Sequence, residues 1–412
     1  MKNTRTLALI LALVMCFSLL AACGGAPAAT PTPAAPAVNS PEAPATGEPA
    51  APADPVKVGL LAPLTGPVAQ YGNAVNNGAM LFIEEYNAAG GFNGVPVELI
   101  SYDEEGDAAK AVVGYNSLFD QGITALIGSV TSTPTQAVVP WAFEDDMPMI
   151  TASATAYAVT VNEETGDVFA NMFRSCFIDP FQGEKMADFA KNELGVATAA
   201  ILFCSEDDYS IGLKDAFVEK AAEIGLEIVA IEGFGANAVD YKGQLTNIAS
   251  KTPDVLFIPY YYENVALAAP QAAEAGITVP LLGADGWDGV LNIITDASFV
   301  EGAYFCSGYS VDDPGERVQG FLASYQARYN GEVPNMFAAQ AYDAAAILLA
   351  AMEKATGEVG SEAYRQSVIE QLSATDMEGV TGHVTFDELN NPQKTATINY
   401  ITGGVATFWG SY

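Results

Sequence analysis

The chain has 412 residues, half of them hydrophobic, which is enough for two domains with sizeable buried cores. Its formal charge is −34, from 50 acidic and 16 basic residues. That balance argues against nucleic acid and against an anionic membrane surface as partners, since both are gripped mainly through Lys and Arg.

Residues 1–22 carry Lys2 and Arg5, then an apolar run from Leu7 to Leu20 that is too short for a membrane span and reads as a secretory signal. The segment ends Leu20-Ala21-Ala22-Cys23-Gly24, which resembles the bacterial lipobox, and the resemblance implies lipidation of Cys23. Residues 23–55 form a linker dominated by Ala and Pro, whose prolines favour extended polyproline II. Cys16 lies in the leader. Cys176, Cys204 and Cys306 sit in or beside apolar strand-like runs, where they fit buried thiols, and a bridge between two of them stays open.

From Val56 the pattern alternates. Val56–Ala62 reads as a buried strand and Gly72–Ala88 as a helix, with Val75, Ala79, Phe82, Ile83 and Tyr86 at helical spacing. Strand Val95–Asp103 and helix Ala108–Phe119 follow. Next come strand Ala125–Gly128, a helix beginning near Thr135, and strand Met147–Thr151. After Cys176 a second series repeats the alternation: helix Phe181–Glu193, strand Ala199–Cys204, helix Ile211–Ile224 and strand Glu227–Glu232. It continues with helix Tyr241–Ala249, strand Val255–Pro259, helix Ala266–Ala275 and strand Leu281–Gly283. This order argues an α/β chain with mostly parallel sheets covered by helices on both faces. Two long late helices, Glu316–Tyr329 and Met336–Ala355, have no strand between them, so the chain is expected to return there to its first domain. Strand-like His383–Phe386 and Thr397–Thr402 close it.

Two hydroxyl-rich loops stand out. Ser129-Val130-Thr131-Ser132-Thr133-Pro134-Thr135 follows one strand, and Ala152-Ser153-Ala154-Thr155 follows the next. In open α/β sheets the ligand crevice lies beyond the carboxyl ends of strands. A helix start there offers free N–H groups and a dipole to an anion. Hydroxyls with little fixed charge suit a small ligand that brings its own charges.

Several stretches together resemble the branched-chain amino acid binding proteins of ABC transporters. They are Leu64 to Gly72, Asn87 to Gly94, Tyr102-Asp103-Glu104, Ile127 to Gln136, Met149 to Ala156, Gly283 to Gly286 and Gly382 to Asp387. The resemblance runs in order over about residues 57–405. It implies a two-lobed type I periplasmic binding protein, hinged by three crossovers near Cys176, Ser307 and Ile398. The lobes would divide as 56–176 and 308–397 against 177–307 and 398–412. It further implies that Ser132 takes a ligand carboxylate and that Thr155 serves the zwitterion. Ser153 would offer its backbone carbonyl to the ammonium, and Asp285 would bind that ammonium from the second lobe. Tyr71, Tyr209, Tyr261 and Trp287 would line the pocket. The implied partners are an amino acid, an ABC permease with its ATPases, and a membrane reached through the lipid on Cys23, with the protein extracytoplasmic and monomeric.

Simpler roles fit some of the same residues. Ser132 and Thr155 also suit helix caps, Asp285 a turn, Tyr260-Tyr261-Tyr262 lobe packing and Trp287 the shielding of an edge. Glu206-Asp207-Asp208 reads as a solvated turn and not a cation site. Catalysis is not expected: His383, the one histidine, has no nearby nucleophile motif, and no P-loop, Gly-x-Ser-x-Gly elbow or Cys-x-x-Cys occurs. No metal or cofactor is called for. Other readings remain: a binder of a short amide or urea, a sensory module reporting to a receptor, and a surface adhesin.

Overall fold

The structure, a computed structural model, describes residues 54–412. The signal segment 1–22, Cys23 and nearly all of the Ala/Pro stretch lie outside the described residues.

The first sheet is built by β1 (Val56–Ala62), β2 (Val97–Asp103), β3 (Ala125–Ile127), β4 (Met149–Thr151) and β5 (Met172–Arg174). Their spatial order is β2-β1-β3-β4-β5, every pairing parallel. The connecting helices are α1 (Ala69–Ala88), α2 (Ala108–Asp120) and α3 (Ser132–Glu144). Each residue of β3, β4 and β5 is buried, as expected where helices cover both faces of a parallel sheet.

The second sheet is entered through α4 (Asp179–Asn192). It continues through β6 (Thr198–Cys204), α5 (Asp208–Ile224), β7 (Glu227–Phe234) and α6 (Lys242–Ala249). Then come β8 (Val255–Phe257), α7 (Tyr262–Glu274), β9 (Leu281–Gly283), the short α8 (Val290–Ile293) and β10 (Tyr304–Ser307). Three helices follow: α9 (Glu316–Arg328), α10 (Met336–Lys354) and α11 (Glu362–Ser373). A small hairpin of β11 (Asp376–Gly379) and β12 (Gly382–Thr385) comes next, and β13 (Thr397–Thr402) and β14 (Val405–Ser411) end the chain. The second sheet has the order β14-β13-β10-β9-β8-β6-β7, with β13 and β14 antiparallel at one edge. Helix α10 packs on α1 of the first sheet, while β13 and β14 join the second sheet.

Several boundaries differ from the sequence reading for a common reason. Helix α3 starts at Ser132, not near Thr135, because Pro134 sits in the first turn, where its missing N–H costs nothing. Helix α4 likewise starts at Asp179, with Pro180 just inside. Helix α7 begins at Tyr262 and tolerates Pro270. Cys176, Cys204 and Cys306 are buried and unbridged.

Candidate ligand-binding site

Loops at the carboxyl ends of both sheets face one another and enclose a small cavity, at most about 230 Å3 of space. The first lobe contributes Tyr71 from α1, Val130, Thr131 and Ser132 at the head of α3, Ser153 and Thr155 after β4, and Phe337 from α10. The second lobe contributes Tyr209 from α5, Tyr261 ahead of α7, and Asp285 with Gly286 after β9. Seven of the eight residues singled out from sequence therefore meet here.

The first-lobe side presents hydroxyl protons. The Ala156 N–H donates to Ser132 Oγ at 3.1 Å, so the Ser132 hydroxyl keeps its own proton for an anion at the start of the 13-residue helix α3. The Ser153 hydroxyl instead donates to the Val130 carbonyl at 2.8 Å. It ties the two loops together and spends its proton there, so the side chain has no donor left for a ligand anion. Arg174, fully buried, holds the second loop from below through the Ala154 and Ala156 carbonyls at 2.9 and 3.0 Å.

The second-lobe side presents acids. Asp285 Oδ1 accepts from the Tyr209 hydroxyl at 2.7 Å, from Gln182 Nε2 at 3.0 Å and from the Gly286 N–H at 3.0 Å. All three bonds fall on one oxygen, leaving Oδ2 for a donor from elsewhere. Burial pushes the Asp285 carboxyl up to about 6, with those bonds pulling the other way. Beside it Asp179, at the head of α4, is fully buried, and neither of its oxygens has a hydrogen-bond partner among the described residues. Burial raises it well above the usual carboxylate range, offset in part by the nearby Thr155 hydroxyl. Thr155 Oγ1 and the Tyr261 hydroxyl are also buried without partners there. Buried polar atoms are almost always satisfied; Thr155 and Tyr261 line the cavity, where a small polar ligand can meet them, whereas Asp179 lies behind the lining beside the Thr155 hydroxyl.

The walls are aromatic. Tyr209 and Tyr261 stack at 5.0 Å with 4° between planes, and Tyr71 stacks on Phe337 at 4.2 Å. Among the described residues no Lys or Arg lines the cavity. Among the described residues no group of His, Cys, Asp and Glu could hold a metal ion.

Two expectations need correction. Trp287 does not line the cavity: its ring lies against Gly283, where a Cβ would come within 2.4 Å, and its Nε1 donates to the Ile258 carbonyl at 2.8 Å. The indole braces the loops after β8 and β9 from behind. Asp207 is not in a solvated turn either. It is buried, caps α5 by accepting from the Ser210 N–H at 3.2 Å, and is pushed up to about 6 by that burial. Phe337, Asp179 and Gln182 escaped notice because an aromatic in an apolar helix, or an acid in a first helical turn, has an ordinary structural reading. A roomier hollow, about 1180 Å3, opens beside Tyr309, Thr381, His383 and Lys394. Two of its polar groups are already engaged: Lys394 Nζ donates to the Thr381 hydroxyl at 2.7 Å and His383 Nδ1 lies 2.9 Å from Glu378.

Residues 55–403 match the family model described as periplasmic binding protein. A leucine-, isoleucine-, valine-, threonine- and alanine-binding protein of Pseudomonas aeruginosa is 28% identical over 338 residues, covering 82% of this chain and 87% of that one. The Leu/Ile/Val-binding protein BraC3 of Rhizobium johnstonii is 29% identical, over 81% of this chain and 88% of that one. Among solved structures, the leucine-binding protein LivK of Thermotoga maritima superposes with a TM-score of 0.78 at 30% identity, covering 86% of this chain and 98% of that one. LivJ of Streptococcus pneumoniae, in complex with isoleucine, gives 0.77 at 30% identity, with 87% and 99% covered. These relatives are solute-binding proteins and not enzymes. With its paired α/β lobes and the cleft between their strand ends, the chain belongs to the periplasmic binding protein family.

Proposed function

We propose that the cleft captures a free α-amino acid with an aliphatic side chain, leucine, isoleucine or valine, outside the cytoplasm and delivers it to an ABC permease. The carrying observation is the split of the lining: hydroxyl donors and a helix start on one lobe, and a buried carboxylate with a free oxygen on the other. A zwitterion matches both sides at once. Ser132 would receive the carboxylate, and Asp285 with Thr155 and the Ser153 carbonyl the ammonium. Tyr71, Tyr209, Tyr261 and Phe337 would enclose the side chain. With no cation in the lining, acidic side chains have nothing to pair with and are disfavoured. The names of the Pseudomonas and Rhizobium relatives, and the isoleucine in the Streptococcus structure, support the choice of ligand. Hydrogen bonds to ionised groups contribute roughly 1.5–3 kcal/mol each, so four or five would cover the ~8 kcal/mol of micromolar binding after the losses of ordering.

The hinge in this reading consists of the connections near Cys176, Ser307 and Ile398, and Cys23 carries the lipid that keeps the protein at the membrane. Thermal denaturation against the twenty amino acids, urea and short amides tests the ligand. Leucine, isoleucine or valine at about 100 times its dissociation constant should stabilise by about 2.7 kcal/mol. For a chain of this size that is a rise of roughly 3–4 °C. Stabilisation by uncharged amides alone would overturn the zwitterion assignment.

A further inference from the structure

The lobes touch one another directly, beside the cavity, through a set of bonds made wholly between protein groups. The Tyr262 hydroxyl, on the second lobe, donates to the Pro67 carbonyl of the first at 2.8 Å and accepts from the Gln70 N–H at 3.4 Å. The Tyr262 N–H donates to the Tyr71 hydroxyl at 3.3 Å, and that hydroxyl in turn donates to the Gly286 carbonyl. The Tyr71 and Tyr262 rings meet edge to face at 4.9 Å. Further out, Asn292 Nδ2 donates to Gln70 Oε1 at 2.8 Å. On the far side, Asp288 of the second lobe accepts at 3.3 Å from the N–H of Met336, the first residue of helix α10 in the first lobe. Tyr262 is 2% exposed yet contributes nothing to the cavity wall. Its partner Tyr71 belongs to both sets, being a wall of the cavity and a member of the interlobe chain.

We propose that Tyr262, with the Gln70–Asn292 pair beside it, is a latch that holds the lobes together without ligand and so sets how tightly and how long the ligand is kept. When the lobes part, water replaces these bonds, so each bond counts only at its net value. Binding strength scales with the fraction of molecules in the binding-competent, closed arrangement. Loss of the latch therefore weakens binding although no ligand contact is touched, and it acts on dissociation more than on association.

The inference rests on the amino-acid reading only for its kinetic arm. Small-angle scattering on the ligand-free protein compares the native chain with Tyr262→Phe and Asn292→Ala, all carrying the same N-terminal segment so that its contribution cancels. The ligand-free variants are expected to have a larger radius of gyration than the native protein. Stopped-flow release of leucine should be faster in Tyr262→Phe by about 3–20-fold, the worth of one good and one weak neutral hydrogen bond. Asn292 is exposed, so its variant carries the test should Tyr262→Phe fold poorly. A merely structural role would lower the ligand-free melting temperature and leave the radius and the release rate alone. Equal ligand-free radii in native and variant proteins, with release unchanged within about twofold, would overturn the latch. If leucine fails to bind the native protein, the amino-acid reading falls, and the ligand-free radii still decide the latch.

Discussion

Asp285 shows how much one residue can decide. Burial strips its water and pushes its carboxyl up to about 6, and Asp179 beside it is raised for the same reason. An aspartate in the unfolded chain titrates near about 4. Between those values the folded protein holds a proton that the unfolded chain has released, so ligand-free stability falls as pH rises through that window. An ammonium in the cleft reverses the preference, because an adjacent opposite charge favours the carboxylate. Binding should then expel a proton at about pH 5.5, and leucine affinity should weaken as pH drops from about 7.5 to about 5. Calorimetry in buffers of different ionisation enthalpy reads that proton directly. Asp285→Asn should weaken binding about 10–100-fold, flatten its pH dependence, and raise the ligand-free melting temperature above about pH 6. Affinity that stays level across this range would remove Asp285 as the partner of the ammonium. The hydroxyl-rich loops made Ser132 and Thr155 visible because they follow apolar strands, whereas Asp285 was visible only through the family resemblance. Trp287 deceived for a physical reason: loop position does not tell which way an indole turns, and Gly283 leaves room for it to turn inward. Asp179 is the converse case, a buried acid next to the site that went unnoticed because a helix start commonly carries one.

At the scale of elements, buried strands and amphipathic helices were legible, and exposed or short ones were not. The helix α11 went unread although Ser361 caps it and Tyr364, Val368 and Leu372 recur at helical spacing. The strand β14 is an exposed edge with no buried residue, and the Gly403-Gly404 turn before it was the available signal. Long-range packing is harder still, since the return of α10 onto α1 is written only as the absence of a strand between two late helices. That crossing can be tested through Gly78. A Cβ there would lie 2.0 Å from the Ala338 carbonyl, so the helix backbones must separate to admit it. In an open helix, Gly→Ala is favourable by up to about 1 kcal/mol. Here Gly78→Ala should instead destabilise by about 1–3 kcal/mol, seen as a lower urea midpoint with the slope unchanged. The sign alone decides: a stabilised variant would mean that α10 does not cross α1 at this position.

The whole molecule carries a charge that constrains how it can stay at a membrane. With a formal charge of −34 it is repelled by anionic lipid headgroups, so no polybasic attraction can assist attachment. A single acyl chain holds a protein only marginally and reversibly, and lasting anchorage takes two signals or several chains. For this protein the second signal cannot be electrostatic. If Cys23 carries a lipid, that lipid must supply nearly all of the attachment, and the Ala/Pro stretch through residue 55 would set how far the binding body stands from the surface, up to roughly 90 Å if fully extended. Cys23→Ser should therefore move the protein completely from the membrane fraction to the soluble fraction of cells, at low and high salt alike. Salt normally loosens surface attraction by screening it, whereas here it can only soften repulsion. A variant that stayed with the membrane at low salt and left at high salt would show a basic contact that the composition does not provide. One that stayed at both would locate the anchor somewhere other than Cys23. Complete release would leave the lobes and their cleft intact, so leucine binding by the released protein should match that of the anchored form.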